Sequence, residues 1–542
     1  MATSSSTLPP ATAAPGAAGG QSRLKAILLP SFPEVMFLVL LAWIFAGPQY
    51  GWTGLLVDGD TGWHIRTGEY ILDHGRVPIV DLFSFSKPGA PWFAWEWGCD
   101  VLFGALFRFS ALKGIVFVCG VAICLALTLV FVRMLAHGVN LFLALLLCGL
   151  AAGASSVHYL ARPHVFTLLL LSLSLCVVER DRRRESRLVW GLIPLTALWA
   201  NLHGGFLSLV ACLGLLAAGS GLEALFSSSR GPGAWRPFRR YAVLTGACAA
   251  VTLLNPYGYH LHVHMAKYLT SDWIKKAIGE FQSPSFRGEN ILQYEALLLV
   301  GVAAAGLLLS RRQFAEAFWV LFWAHMSLSG ARHIPVFVIV AVPVMAVELN
   351  RFWDFWTRDA DRKSIAGILR AVSRDIASGY GRLTVVPLLV VVLLPILDRS
   401  SRWPTDFPPD RLPVKAVNRY QDLLRTSRVL TGDQWADYLI YRSYPQQKVY
   451  VDGRSDFYGP EVGQEYLNLL SGRWDWRKVM DRRGFDVALV PPDWPLATLL
   501  KDSPEWRLVQ DDGVSILFIR KEVSEAPARL VPVAPGKNAP RH

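Results

Sequence analysis

Residues 116–132 read VFVCGVAICLALTLVFV, and residues 141–154 read LFLALLLCGLAAGA. Neither run holds a charged side chain, and each comes close to the run of about 20 apolar residues that crosses the hydrocarbon core of a bilayer. Runs of this kind recur and set the class of the chain. Hydrophobic residues make up 52% of the sequence and charged residues 18%, against roughly 25% charged in a soluble domain. The pattern predicts about eleven spans, near 33–48, 112–132, 140–157, 164–178, 188–200, 205–226, 241–255, 291–309, 314–329, 333–349 and 383–397. The fold class expected is therefore a polytopic α-helical membrane protein carrying a small C-terminal extracytoplasmic α/β domain.

The net charge of +12 does not point to nucleic acid. Lys and Arg gather between apolar blocks, as in Arg180-Asp181-Arg182-Arg183-Arg184, which is how cytoplasmic loops of membrane proteins are marked. With the N-terminus in the cytoplasm, the basic segments 180–187, 230–240, 311–312 and 351–382 all fall on that side. The opposite short loops carry little beyond Arg162 and Arg332. The loops 49–111 and 256–290, and everything after residue 398, then lie outside.

The expected organisation is a disordered cytoplasmic tail over 1–30, a membrane domain over 31–397, a periplasmic α/β domain over 398–522 and a disordered tail over 523–542. The first apolar block has no small-residue cleavage site after it and stays as an anchor. In the C-terminal domain, 428–431, 448–451, 487–490 and 515–520 read as strands, and 434–442, 461–470 and 474–482 as helices. All seven cysteines precede residue 249, so this domain has neither a disulfide nor a Cys metal site.

The first outer loop holds Asp58-Gly59-Asp60-Thr61-Gly62-Trp63-His64, with Gly68 and Gly75 further on. Asp60 or Thr61 can cap a helix that runs to His74 and stops at Gly75, and His64 then stacks one turn above the cap. One reading makes Asp60, with Asp58, a carboxylate base, with a divalent cation (Mg or Mn) held between them. The plain reading makes them turn and cap residues on a wet loop. The other outer turns weigh against the plain one, because His and Arg near membrane depth are costly unless they line a polar cavity. They supply Arg162 and His164, Asn201 and His203, and Arg332 and His333. Glu96, set among Trp92, Trp95 and Trp97, is either part of an interfacial aromatic belt or a second acid beside a sugar-stacking wall. Glu280 is another outer acid. In the C-terminal domain Asp452, Arg454 and Asp456 either bind sugar hydroxyls, clamp the domain to the membrane part or pair among themselves. Carboxylates facing cations in one cavity suit a phosphate-bearing ligand.

No phosphate-binding Gly-rich loop, dinucleotide motif, Ser-His-Asp signature or CxxC pair occurs, which speaks against a nucleotide-driven pump. The layout resembles the GT-C superfamily of membrane glycosyltransferases, whose first outer loop carries an acidic motif, an aromatic three residues on and a Gly ending the helix. Asp60, His64 and Gly75 fall in the places of that Asp, aromatic and Gly. Thr61 stands where the second acid is usual, and His64 replaces the aromatic. Through 58–68, 161–164, 199–206, 255–258, 329–335 and 449–456 the chain is also similar to a bacterial group of RgtA/B/C/D-type glycosyltransferases.

The resemblance implies an inverting transferase in a bacterial inner membrane that moves a sugar from a polyprenyl-phosphate carrier to a glycan, lipid or protein acceptor. Asp60 stands at the position of the base. Arg162, His203, Arg332 and His333 are expected to hold the leaving phosphate. His64, Glu96, His164, Asn201 and Glu280 complete the expected substrate site. Two other classes stay open: a flippase for lipid-linked saccharide, which needs polar residues at the bilayer midplane, and a non-catalytic glycan assembly protein, which needs no connected cavity.

Overall fold

The computed structural model describes residues 28–46, 51–227, 231–288, 290–361, 363–376, 383–398 and 403–521. Apart from 28–30, the two tails expected from the sequence lie outside these residues.

Among the described residues, five helices are long and apolar enough to cross a membrane: Trp97–Ala136, Leu141–His158, Phe206–Leu225, Ile291–Ser310 and Ala331–Trp356. Their outward faces are apolar, with Leu146, Leu292, Leu299 and Val302 all exposed. An apolar face that finds no protein partner belongs against lipid tails, and the chain is a membrane protein. Phe32–Ala46, Arg187–Ala200 and Val386–Leu397 are apolar but shorter. The expected count of about eleven spans therefore has five long helices behind it, and the remaining segments are helices of lesser length or apolarity.

The 40-residue helix Trp97–Ala136 is two helices in one line. Its backbone leaves helical values at Ser110 and Ala111, where Ala111 has φ 52°. The break falls where the amphipathic stretch ahead of Leu112 gives way to the wholly apolar run. Deep in the bundle, Arg133 donates to Glu179 at 3.0 Å, tying this helix to His164–Arg183. Both side chains are buried; a buried charge is tolerable only with a partner of opposite sign.

The C-terminal part holds a small sheet of four strands, β1 (Val429–Leu430), β2 (Val487–Val490), β3 (Trp506–Asp511) and β4 (Ile516–Arg520), in the order β1-β2-β4-β3. β1 and β2 are parallel; β2–β4 and β4–β3 are antiparallel. One expectation is corrected here, and one strand is added. Residues 448–451 do not join the sheet. They bridge to the segment that precedes Trp97, with Val449 beside Ser84, Phe85 N–H donating to Val449 O and Val449 N–H donating to Phe83 O. A short apolar run such as Val449-Tyr450-Val451 satisfies either pairing equally well. The strand that completes the sheet is β3, whose half-exposed WRLVQD pattern carries little apolar signal.

One hydrophobic cluster runs from Phe37 and Ile123 in the membrane helices to Val487 and Phe518 in the sheet. Polar ties add to it: Arg66 Nε donates to Tyr441 O at 2.8 Å and Lys87 Nζ to Phe457 O at 2.6 Å. The C-terminal part is thereby seated on the segment 51–96, at the end of the bundle where the turns bearing Arg162, His203 and Arg332 meet.

Candidate active site

The helix Thr61–His74 begins at Asp60 and ends at Gly75, whose φ of 64° is the left-handed value a helix stop of this kind requires. Asp60 does not cap it with its side chain, as the sequence led one to expect. The carboxylate turns instead to Arg162, with Oδ2 2.6 Å from Nη2. Asp58 flanks the same guanidinium at 3.1 Å, accepts the Asp60 N–H at 2.8 Å and accepts from Gln434 Nε2 at 3.1 Å. Thr61 fixes the turn by donating its hydroxyl to Ala161 O at 2.9 Å, one residue from Arg162. Two segments a hundred residues apart are thus locked together at the point where their charges meet.

Arg162 reaches a third acid, Glu280, at 3.7 Å, and Arg332 approaches the same carboxylate at 3.3 Å. Burial alone would raise Glu280, but Arg332 and then Arg162 outweigh it and hold the acid down at about 2. Glu280 is therefore ionised and keeps the two guanidinium groups facing one space. Arg332 is further held by Tyr268 Oη at 3.4 Å and lies over the Phe281 ring, 4.3 Å from its centroid.

Glu96 faces the same space from the other side, with His203 Nε2 at 3.4 Å and His64 Nε2 at 3.8 Å. A chain of donors fixes the His203 tautomer. Trp199 Nε1 donates to Thr167 Oγ1, Thr167 donates to His203 Nδ1, and the Gly205 N–H also points at Nδ1. The ring proton thus sits on Nε2, toward Glu96. Burial, with help from Arg332 and Arg162, pushes His203 down to about 3, so the ring is neutral. Glu96 goes the other way, raised by burial to about 8 against the pull of Arg162. His64 is buried, with Nδ1 2.6 Å from Asp100 Oδ1 and its ring stacked on Trp63. It braces the acidic side of the site rather than standing free beside Asp60.

Three glycines bring the C-terminal part onto this cluster. A Cβ on Gly59 would clash with the Gln434 carbonyl, one on Gly62 with that of Asp437, and one on Gly453 with the carboxylates of Asp60 and Asp437. The close approach sets Asp437, fully buried in the helix Asp433–Ser443, in hydrogen-bonding contact with Asp60. Burial, then the charges of Asp60 and Asp452, drive Asp437 well above the usual carboxylate range. Burial also raises Asp60 to about 8, opposed by Arg162. Like carboxylates in contact cannot both ionise, so the pair keeps a proton, and Asp437 holds it more tightly.

Beside Gly453, Arg454 is buried between Asp81 at 2.8 Å and Asp452 at 2.6 Å, with the rings of Phe83, Trp92 and Phe457 around it. Asp456 lies 3.0 Å from His264. Of the alternatives read from the sequence, the Asp–Arg pair and the clamp onto the membrane part are both present. These groups enclose a cavity of about 60 Å³ whose lining includes Asp60, Glu96, Arg162, His203, Glu280 and Arg332.

Six of the residues expected to form the catalytic and substrate site line this cavity, with Asp58 and His64 immediately behind them. Three do not. His164 turns its ring onto His158, at 4.1 Å, and bonds the His158 carbonyl. Asn201 accepts from Trp97 Nε1 at 2.9 Å and donates to Ala197 O and Leu254 O, so its amide is spent on joining helices. His333 faces the Met326 carbonyl at 3.1 Å. Sequence reasoning missed Asp100, Tyr268 and, above all, Asp437. The expected Mg or Mn between Asp58 and Asp60 meets Arg162 in that position. Both carboxylates give the guanidinium an oxygen, so a divalent cation there would sit against a fixed positive charge, and the donor set does not fit one.

No family model matches the chain, and no curated protein matches it. Solved structures do. The archaeal oligosaccharyltransferase AglB from Archaeoglobus fulgidus, in complex with an inhibitory peptide and a dolichol-phosphate, aligns over 92% of this chain and 74% of its own, at 12% identity and TM-score 0.48. ArnT from Cupriavidus metallidurans in the apo state aligns over 89% and 97%, at 13% identity and TM-score 0.46. The same protein bound to undecaprenyl phosphate gives 14% identity and TM-score 0.47 over the same shares. At such identities the functional reading rests on the side chains of the cavity alone.

Proposed function

We propose that the chain is an inverting glycosyltransferase, moving a sugar from a polyprenyl-phosphate carrier to an envelope acceptor on the non-cytoplasmic face of a bacterial inner membrane. The bias of Lys and Arg toward the opposite loops supports that face. The observation that carries the reading is one cavity in which the Asp60 carboxyl meets Arg162, with Arg332 and the ionised Glu280 that holds both guanidinium groups.

In the proposed reaction the acceptor hydroxyl oxygen attacks the anomeric carbon. Its proton passes to Asp60 as the bond from that carbon to the carrier's phosphate oxygen breaks. The phosphate leaves with the electron pair, and Arg162 and Arg332 stabilise the charge that develops on it. Arg162 couples the two events. A donor phosphate competes with Asp60 for the guanidinium, and as Asp60 loses its counter-ion it becomes a stronger base. Glu280 keeps both guanidinium groups in place, and neutral His203 orients Glu96 without taking the proton itself. The enclosed volume of about 60 Å³ has room for a few waters, so a donor sugar enters by displacing part of the lining.

The pH profile follows from Asp60. Its pKa in the folded protein is raised to about 8, so the base form grows as pH rises through that value. The kcat/KM for transfer, which reports the free enzyme, is expected to climb about tenfold per unit on the acid side and to level off beyond about pH 8. Initial rates on the purified protein read this directly, and a flat profile from about pH 6 to 9 would remove Asp60 from the proton transfer. In cells, the test of the function is mass analysis of lipid-linked sugars. Replacing the chain by its Arg162→Ala variant should make one polyprenyl-phosphate sugar accumulate, while an unchanged lipid profile at normal expression would refute the reading.

A further inference from the structure

At the far end of the same helices lies a second and larger cavity, of about 890 Å³. Helix Ile334–Trp356 starts next to Arg332 and reaches the cavity at Asn350, about 24 Å further along at 1.5 Å per residue. The cavity is therefore on the opposite membrane face from the candidate active site. Its lining includes Arg351, Arg358, Arg370 and Arg374, with Asp354 as the acid.

The charges do not cancel. Arg351 is paired with Glu348. Asp354 accepts from Asn350 Nδ2 at 3.0 Å. Arg358, Arg370 and Arg374 have no carboxylate partner among the described residues. Arg370 donates to the carbonyls of Thr357 at 3.0 Å and Arg358 at 3.4 Å, and its Nε is buried with no partner among the described residues. Three cations thus border a space that holds one acid.

The rim is apolar and aromatic. Phe352, Phe355 and Trp356 are exposed on the end of one helix, and Ile365, Ile368 and Val372 on one face of the next, Ile365–Ile376. That spacing puts the three aliphatic residues along one stripe. Arg370, Ser373 and Arg374 turn to the cavity, and Ser373 Oγ anchors the helix by accepting the Leu141 N–H at 2.8 Å. Exposed aromatic and aliphatic residues around unpaired arginines are what the headgroup layer of a bilayer accommodates.

We propose that this cavity binds the phosphate headgroup of an anionic phospholipid, held by Arg358, Arg370 and Arg374, while the lipid tails lie against the apolar rim. A basic residue close to an anionic membrane surface changes binding by about fivefold. The test measures lipid retention. The purified protein is equilibrated with mixed phosphatidylglycerol and phosphatidylcholine and stripped with detergent, and the lipid it keeps is identified by mass spectrometry. Wild type should keep phosphatidylglycerol in preference to phosphatidylcholine. Arg358→Glu/Arg374→Glu should lower that retention at least about 30-fold. Arg358→Lys/Arg374→Lys should hold it close to wild type, which separates loss of charge from loss of fold, and Arg180→Glu/Arg184→Glu should leave it unchanged. Equal retention by the charge-reversed variant would overturn the proposal. So would displacement of the lipid by millimolar inorganic phosphate, which would make the cavity a site for a soluble phosphate compound.

Discussion

Asp60→Asn is expected to lower the rate of sugar transfer by about 10²–10⁴-fold, the range a positioned general base contributes, with donor affinity changed only a few-fold. The amide is the same size as the carboxylate and retains contact with Arg162 and Asp437, so the cavity keeps its shape, but it cannot take a proton at any working pH. The loss should appear in kcat rather than KM. Asp58→Asn is a different case. Asp58 touches Arg162, the Asp60 amide and Gln434, so in the proposed reaction it orients Asp60 without lining the cavity itself. A kcat for Asp60→Asn within a few-fold of wild type would move the chemistry to another residue.

Arg454→Met should be the most damaging change to stability. Arg454 is 2% exposed and stands between Asp81 and Asp452, which are 8% and 1% exposed. Removing the cation leaves two buried carboxylates without their counter-charge, which costs about 3–5 kcal/mol. Asp81 retains the N–H groups of Phe83 and Ser84, and Asp452 the Tyr458 hydroxyl; those bonds reduce the penalty without abolishing it. Thermal unfolding in detergent, followed by tryptophan fluorescence, reads the loss. Arg454→Met/Asp452→Leu should regain much of it, because an apolar replacement of a buried pair is tolerated far better than a broken one. Since Gly453 lies against Asp60, the single variant should also lose activity. A change in unfolding free energy below about 1 kcal/mol would mean that water reaches this cluster.

The membrane class was legible because a charge-free run such as 116–132 has little else to be. The convergence of Arg162, His203 and Arg332 was legible too, since alternate turns of a helical bundle come out at the same end. What the turns did not reveal was direction. His164 is two residues from Arg162, yet it opens a helix and faces His158. His333 follows Arg332 directly and points at Met326. Adjacent residues in a helical turn leave the axis about 100° apart, so sharing a turn is no guarantee of sharing a pocket. Asp437 lay beyond reach for another reason. It belongs to an ordinary amphipathic helix far along the chain from Asp60, and no local pattern ties the two together. The one trace was indirect: Gly59, Gly62 and Gly453 each leave room where a backbone or carboxylate comes within contact of another segment. The misassigned strand 448–451 shows the same limit, because a short β-branched and aromatic run marks an extended segment without naming the partner.

By the proposed function, this cavity cleaves a phosphate-linked sugar from its lipid. The most direct measurement places the purified protein in liposomes with the polyprenyl-phosphate sugars extracted from its source cells, adds the membrane acceptor fraction and follows the lipid by mass spectrometry. Free polyprenyl phosphate should appear together with a glycosylated acceptor of inverted anomeric configuration, and both should vanish with Asp60→Asn. Donor that crosses the bilayer with its sugar still attached, or that remains uncleaved with every acceptor fraction, would contradict the account.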